Sequence, residues 1–222
     1  MQNNLVLLYY QASIIMMSML GRPTLGIAER KRRAWAERED RIVATARAIA
    51  EREGWNAVTV RRLADEIEYS QPVLYTHFRS RDAIVGAVAV EGFRELAAAL
   101  RAAARGSAGR RKALENVATA YFDFGFRHPA LYEAMFVLPT GLRFAEADVP
   151  PELPEAFNSL AAVVAPFCAD VEDATETFWA ALHGLTELER WGRIRSTARL
   201  ERIRLIVRAF LGFRKTPADH GL

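Results

Sequence analysis

The segment Thr59–Phe78 reads Thr-Val-Arg-Arg-Leu-Ala-Asp-Glu-Ile-Glu-Tyr-Ser-Gln-Pro-Val-Leu-Tyr-Thr-His-Phe, and it constrains the fold more than any other stretch of the chain. Thr59 suits an N-cap, and Val60, Leu63, Ala64 and Ile67 follow at the spacing of one buried helical face. Ser70 is a second N-cap, and Pro72 falls in the first turn of a second helix, where a missing N–H costs nothing. Val73, Leu74 and Phe78 are expected to anchor that helix, leaving Gln71, Tyr75, Thr76 and His77 facing outward. Two short helices around a tight turn, the second polar at its start and aromatic at its end, are the sequence form of a helix-turn-helix. The second helix of such a unit lies in the major groove of DNA. The alternative is a hairpin buried in an ordinary bundle, which would not leave Arg61, Arg62, Gln71, Tyr75 and His77 on short helices.

Thr59–Phe78, followed by Ser80-Arg81-Asp82-Ala83-Ile84, resembles the DNA-binding domain of the tetracycline-repressor (TetR) family. Leu63-Ala64 matches its first-helix pair, and Leu74-Tyr75-x-His77-Phe78 its most recognisable block. The resemblance covers residues 38–88 closely and the rest in layout. It implies an all-α chain, with an N-terminal three-helix DNA-binding domain joined to a larger helical ligand-binding and dimerisation domain. It implies a homodimer on a pseudo-palindromic double-stranded operator, controlled by a small-molecule effector. Gln71 and Thr76 are expected at base edges, and Thr59, Tyr75, His77 and Arg81 at phosphates; Arg61, Arg62, Ser70 and Pro72 complete the interface. Glu68 stands where the family usually carries glycine, a residue that takes positive φ without steric cost. Either Glu68 holds a strained turn or the turn differs. Pro72 replaces a small residue that usually lies near the bases.

Charge placement agrees. Residues 22–82 hold 13 Lys+Arg and 10 Asp+Glu, whereas residues 83–222 hold 17 of each. The net positive charge of +3 therefore lies with the reading segment, where phosphates need neutralising. The apolar fraction of 51% supports a full core, and the scarcity of β-branched alternation points to helices throughout.

Other chemistries find little footing. One cysteine, Cys168, forms no intramolecular disulfide and fits a reducing cytoplasm. His77, His128, His183 and His220 show no metal-ligand spacing with it. No phosphate-cradling loop, dinucleotide fingerprint or nucleophile elbow is visible. The expectation is a cytoplasmic non-enzyme with no metal, no cofactor and no membrane partner.

Residues 1–29 read as an N-terminal extension. Leu5–Leu20 is largely apolar, lacks the basic n-region of a signal peptide and is short for a membrane span. Translation starting at Met17 or Met19, a disordered or self-docking tail, and a membrane anchor are the alternatives. A chain beginning at Met19 is expected to fold and bind DNA as well as the full one.

The DNA-binding domain is placed at 30–82. It opens on a basic arm, Arg30-Lys31-Arg32-Arg33, able to reach phosphates or the minor groove, and a helix from about Trp35 to Glu53. That helix should turn Ile42, Val43, Ala46, Ile49 and Ala50 inward, with Gly54 as its cap and Trp55 packing back on the small domain. A fourth helix, from near Ser80 to about Ala104, should cross into the large domain at 83–215, with Arg81 in a phosphate clamp at its start. Helices at about Arg111–Arg127, after Pro129, at about Glu155–Pro166, Val171–Trp191 and Thr197–Phe213 complete the count, with a loop at Pro139–Pro154 and a disordered tail at 216–222.

Aromatics crowd one part of the large domain. Tyr121, Phe124, Tyr132, Met135, Phe136 and Phe144, with Trp179 and His183, suggest a cavity between helices. Phe178-Trp179-Ala180-Ala181-Leu182-His183-Gly184 resembles a tryptophan–histidine–glycine signature in one branch of TetR-family ligand domains. Trp179, His183 and Glu187 share one helical face, either packing or contacting a ligand. Leu200, Ile203, Val207 and Phe210 form a stripe, as do Leu182, Leu185 and Leu188 on the preceding helix. Together they are expected to make a four-helix dimer interface, the alternative being that they face their own core. The function expected is a ligand-responsive transcriptional repressor. The rivals are an architectural DNA-binding protein without effector, and an enzyme or carrier using the aromatic cavity.

Overall fold

The protein's computed structural model describes residues 26–140, 142 and 149–212. The apolar N-terminal stretch, its three methionines, Phe144 and the tail at 216–222 lie outside the described residues. Nine α-helices and no strand occur among the described residues: α1 Ile27–Glu53, α2 Val60–Ile67, α3 Gln71–His77, α4 Arg81–Arg105, α5 Arg110–Arg127, α6 Pro129–Phe136, α7 Glu152–Val164, α8 Val171–Arg190 and α9 Arg199–Gly212. The all-α expectation holds.

Contacts divide the chain into two units, residues 1–41 and 42–222. The described part of the first unit is the exposed opening half of α1. It begins eight residues earlier than the sequence suggested, so the basic run Arg30–Arg33 lies within the helix rather than ahead of it. The stretch contains no glycine or proline after Gly26, and Glu29–Arg32 and Arg33–Glu37 pair one turn apart, which favours the helix.

The second unit holds everything else. Ile42, Val43, Ala46, Ile49 and Ala50 are buried along α1, as their spacing predicted. Gly54, at φ 80°, ends the helix in a conformation that favours glycine. Thr59 caps α2 by accepting from the Arg62 amide at 3.1 Å, and Ser80 caps α4 by accepting from the Ala83 amide at 3.1 Å. Ser70 occupies the N-cap of α3 without a side-chain capping bond. Glu68 answers the question its sequence posed: it takes φ 59°, ψ 37°, the left-handed cap that glycine usually fills. The amide of the next residue, Tyr69, bonds back to the Ala64 carbonyl at 3.0 Å.

α4 packs against α5, α6 and α7, with Ile84, Val88, Phe93, Leu96 and Leu100 buried. α6 lies close to two glycines. A Cβ on Gly92 would stand 2.5 Å from Met135 Sδ, and one on Gly125 would stand 2.7 Å from Thr186 Cγ2 and 3.2 Å from the Tyr132 ring. α7 starts at Glu152, so Pro154 sits inside its first turn, where no amide is needed.

The last two helices correct the expected dimer seam. Leu182, Ile203, Val207 and Phe210 are buried in the chain's own core, with the Phe178 and Phe210 rings in edge contact at 5.1 Å. α9 packs on α5. The reason lies partly in a charged corner that the stripe concealed. The buried Glu189 carboxylate accepts from Arg199 Nε at 2.9 Å and Arg202 Nη2 at 2.6 Å, while the Arg199 guanidinium lies 4.1 Å from the Phe126 ring centre. These arginines therefore turn inward and hold the stripe against α5 instead of flanking an outer seam. Leu188, Leu200 and Leu205 remain exposed, and Leu185 is half-buried.

Candidate nucleic-acid interface and effector chamber

The short helix α3 buries one residue deeply, Leu74, and half-buries His77. Gln71, Pro72, Val73, Tyr75 and Thr76 are exposed, as are Thr59, Arg61, Arg62 and Ser70 on and beside α2. These side chains are thus open to solvent, with three departures from expectation. Val73 is not an anchor: 37% of it is exposed. The Thr76 hydroxyl donates to the Val73 carbonyl at 2.7 Å, so its hydrogen is used within the helix and only acceptor capacity remains for a base edge. Arg81 is turned inward, donating from Nε to the Val58 carbonyl at 2.7 Å and from Nη2 to the Trp55 carbonyl at 2.6 Å. It braces the bend between α1 and α2 rather than forming a phosphate clamp. Arg62 is held between Glu53 at 3.4 Å and Glu66 at 3.5 Å, which reduces the free positive charge it can present.

Behind this surface, two ties run to the helical body. Arg47 and Glu95 form a two-pronged ion pair between α1 and α4, at 2.5 and 3.0 Å. The second tie grips the first turn of α6. The Glu51 carboxylate accepts from the amides of Ala130 at 3.2 Å and Leu131 at 3.1 Å. The Trp55 indole donates to the Ala130 carbonyl at 2.7 Å, and Arg190 Nη2 from α8 donates to the Pro129 carbonyl at 2.9 Å. Trp55 therefore reaches beyond the small domain to which the sequence assigned it. A carboxylate at a helix N-terminus meets free amides and a favourable dipole, so Glu51 both caps α6 and fastens it.

Further along α6, Phe136 reaches an apolar chamber. The cavity is about 20 Å³, room for roughly one water, and is lined by Phe93, Leu96, Tyr121, Phe136, Leu153, Phe157, Leu160 and Trp179 among others. Of the eight residues expected there, Phe144 lies outside those described, and Tyr121, Phe136 and Trp179 line the cavity. Tyr132 and His183 stand behind that wall, Met135 packs toward Gly92, and the Phe124 ring lies 5.2 Å from His128. Sequence reading missed the contributions of α4 and α7, because Phe93 and Leu96 carry the same pattern as ordinary core. Two larger grooves, of about 320 and 310 Å³, are open to solvent and lined in part by charged side chains.

The chamber's polar atoms form a chain. Trp179 Nε1 donates to the Tyr121 hydroxyl at 3.0 Å, that hydroxyl is 3.1 Å from Tyr132's, and the Tyr132 hydroxyl is 2.8 Å from His183 Nδ1. Running the donors from Trp179 toward His183 gives every hydrogen an acceptor. The reverse order would aim the Tyr121 hydrogen at an apolar wall, a cost of about 1–3 kcal/mol for a buried donor. His183 Nδ1 is therefore the acceptor of a neutral ring. Burial holds the imidazole below its ordinary value, against the nearby Glu187 carboxylate and with help from Arg190. Burial pushes both tyrosine phenols up, so they stay protonated. Cys168 is buried, with Sγ 3.5 Å from the Val164 carbonyl. Among the described residues no cluster of His, Cys, Asp or Glu could hold a metal ion, and no helix is long and apolar enough to cross a membrane.

Comparison with known proteins gives concordant matches. Residues 42–88 match the family described as bacterial regulatory proteins, tetR family, and residues 114–210 match the tetracyclin repressor-like C-terminal domain. The uncharacterized HTH-type transcriptional regulator Rv0681 of Mycobacterium tuberculosis is 32% identical over 181 residues, covering 78% of this chain and 79% of its own. A protein of unknown function from Rhodococcus sp. RHA1 has the same fold, with a TM-score of 0.63 at 23% identity, covering 78% of this chain and 92% of that one. RolR, solved in complex with resorcinol, shares the fold at a TM-score of 0.60 and 14% identity, covering 84% and 91%.

Proposed function

The chain belongs to the TetR family of DNA-binding transcriptional regulators, and from that premise we propose that it is a cytoplasmic repressor released from its operator by a small neutral effector, apolar or aromatic. In this reading residues 30–82 read DNA, and residues 83–215 hold the effector and a second copy. The observation that carries it is the double engagement of α6. Its first turn is tied to the reading head by Glu51 and Trp55, its last turn carries Phe136 at the chamber, and Tyr132 backs the wall through the Tyr121 hydroxyl.

A cavity of about 20 Å³ cannot hold an effector without parting its walls. The effector then acts as a wedge, moving α6 and with it the turn that Glu51 and Trp55 grip. It prefers the conformer with displaced heads, and by linkage operator DNA disfavours effector binding equally. Among the described residues the wall offers one neutral hydroxyl, Tyr121, and rings but no cation, which supports a neutral ligand; RolR, of the same fold, was solved with an aromatic one. Trp179 and His183 bracket the hydrogen-bond chain, which supports placing the large domain in the tryptophan–histidine–glycine branch. The homodimer would form through the outer faces of α8 and α9, where Leu188 and Leu205 are exposed.

Capture of genomic duplex fragments by the purified protein, followed by sequencing, tests the reading. Recovery of a shared pseudo-palindromic sequence is expected, with release of it by some member of a panel of neutral aromatic compounds. Capture without preference would favour an architectural protein; sequence-specific capture that no compound reverses would remove the effector. Chemical turnover of a panel member would favour an enzyme.

A further inference from the structure

The outward side of α3 is more apolar than its sequence suggests. Leu74 faces the core, and the positions opposite it on a helical wheel are Pro72 and Thr76, with Val73 on the adjoining flank. All three are exposed, Val73 by 37% although valine is ordinarily an inside residue. The Thr76 hydroxyl is engaged by the Val73 carbonyl at 2.7 Å, which leaves the γ-methyl as the free end of that side chain. A proline ring, a valine and a threonine methyl therefore make one contiguous apolar patch in the middle of the surface assigned to the major groove. Gln71 and Tyr75 lie on the opposite flank and supply the polar groups.

In the major groove one base carries an apolar group, the C5-methyl of thymine, and apolar side chains distinguish it from cytosine and from other pairs. We propose that Val73 and Thr76 read thymine methyl groups, so that each half-site carries thymine opposite this patch, beside a base pair read by the Gln71 amide. The inference rests on α3 being the recognition helix. It makes Val73 a specificity-determining residue, a role that hydrogen-bond bookkeeping would not reveal.

The test replaces thymine by deoxyuridine, which removes the methyl and leaves base pairing unchanged. An operator is first selected from a random-sequence duplex pool with the full-length protein, and each thymine is then replaced singly. At one or more positions per half-site the wild-type protein should lose about four-fold in affinity by fluorescence anisotropy, the scale of one buried methyl group. Val73→Ala should bind the thymine operator at that reduced level and no longer distinguish thymine from deoxyuridine at its position. Thr76→Ser, which removes the methyl, should behave likewise at a neighbouring position, and Thr76→Val should retain the discrimination. Circular dichroism checks that each variant keeps its helices. The proposal is overturned if no deoxyuridine substitution weakens wild-type binding, or if the methyl effect persists undiminished in both Val73→Ala and Thr76→Ser. A selection that converges on no sequence would overturn this inference and the operator reading together; convergence without methyl sensitivity overturns this inference alone.

Discussion

The indole N–H of Trp55 donates to the Ala130 carbonyl at 2.7 Å, between two buried residues that lie 75 positions apart. One precedes the DNA-reading helices, and the other sits in the first turn of the helix that walls the chamber. With the Glu51 carboxylate on the two adjacent amides, this short turn is where head and chamber meet.

Trp55→Phe preserves most of the buried ring and removes the indole hydrogen bond, while the Ala130 carbonyl keeps its place in the α6 ladder. It should lower stability by about 0.5–1.5 kcal/mol in urea unfolding, the net worth of one hydrogen bond. Glu51→Ala removes the cap of α6 and should cost about 0.5–2 kcal/mol. Because both residues hold one turn, the double variant should depart from additivity. Strict additivity would mean that the two bonds act independently and do not form a single tie.

Local patterns in the sequence carried local structure well. The buried face of α1, the cap at Thr59 and the helix-turn-helix follow from side chains within a few positions of one another, though Ser70 makes no capping bond. What spacing could not supply was the partner across space. The stripe Ile203, Val207 and Phe210 is apolar whether it faces a second copy or α5, and only the inward arginines on Glu189 decide between them. The chamber was half visible for the same reason: aromatic crowding marked Tyr121 and Phe136, while Phe93 and Leu96 looked like any other core.

The revised placement of α9 reverses one expectation. Val207 is fully buried in the chain's own core, so Val207→Glu should unfold the protein rather than yield folded monomers, an unpaired buried charge costing several kcal/mol. Leu205, 56% exposed on the same helix, is the better probe of association. Leu205→Glu and Leu188→Glu should keep the far-ultraviolet circular dichroism of the wild type while light scattering reports a smaller mass. If both stay dimeric, the interface lies on another face.

Glu68 is the one non-glycine residue at positive φ among those described. A side chain there costs about 1 kcal/mol relative to its ordinary backbone regions. Glu68→Asn, a residue that tolerates this region, should raise the melting temperature, and Glu68→Val, which does not, should lower it. An unchanged melting temperature for Glu68→Val would mean that the turn readjusts at no cost.

Under the proposed function, Tyr75 and Gln71 should separate affinity from specificity. Tyr75→Phe should weaken binding to all duplexes alike by roughly 1 kcal/mol, as the loss of a phosphate hydrogen bond would. Gln71→Ala should instead reorder the preference among operator variants. An unchanged ranking would remove Gln71 from the base-reading set.

The hydrogen-bond chain ending at His183 makes stability depend on pH in one direction. The folded protein uses the neutral ring, because Nδ1 accepts from the Tyr132 hydroxyl and burial disfavours the charged form, with the Glu187 carboxylate opposing and Arg190 reinforcing that shift. The folded value therefore lies below the unfolded one of about 6.5. As pH falls through that unfolded value, the unfolded chain takes up the proton first, so the contribution of His183 is complete above it and lost progressively below. His183→Asn retains an acceptor near Tyr132 and removes the titration. Urea unfolding at three pH values, about 7.5, 6.5 and 5.5 to span that range, should show the wild type losing stability relative to the variant as acid is added. His77 and His128 are common to both proteins and cancel in the difference. Parallel profiles would mean that the fold does not hold His183 neutral, and the donor order from Trp179 to His183 would then have to be reversed.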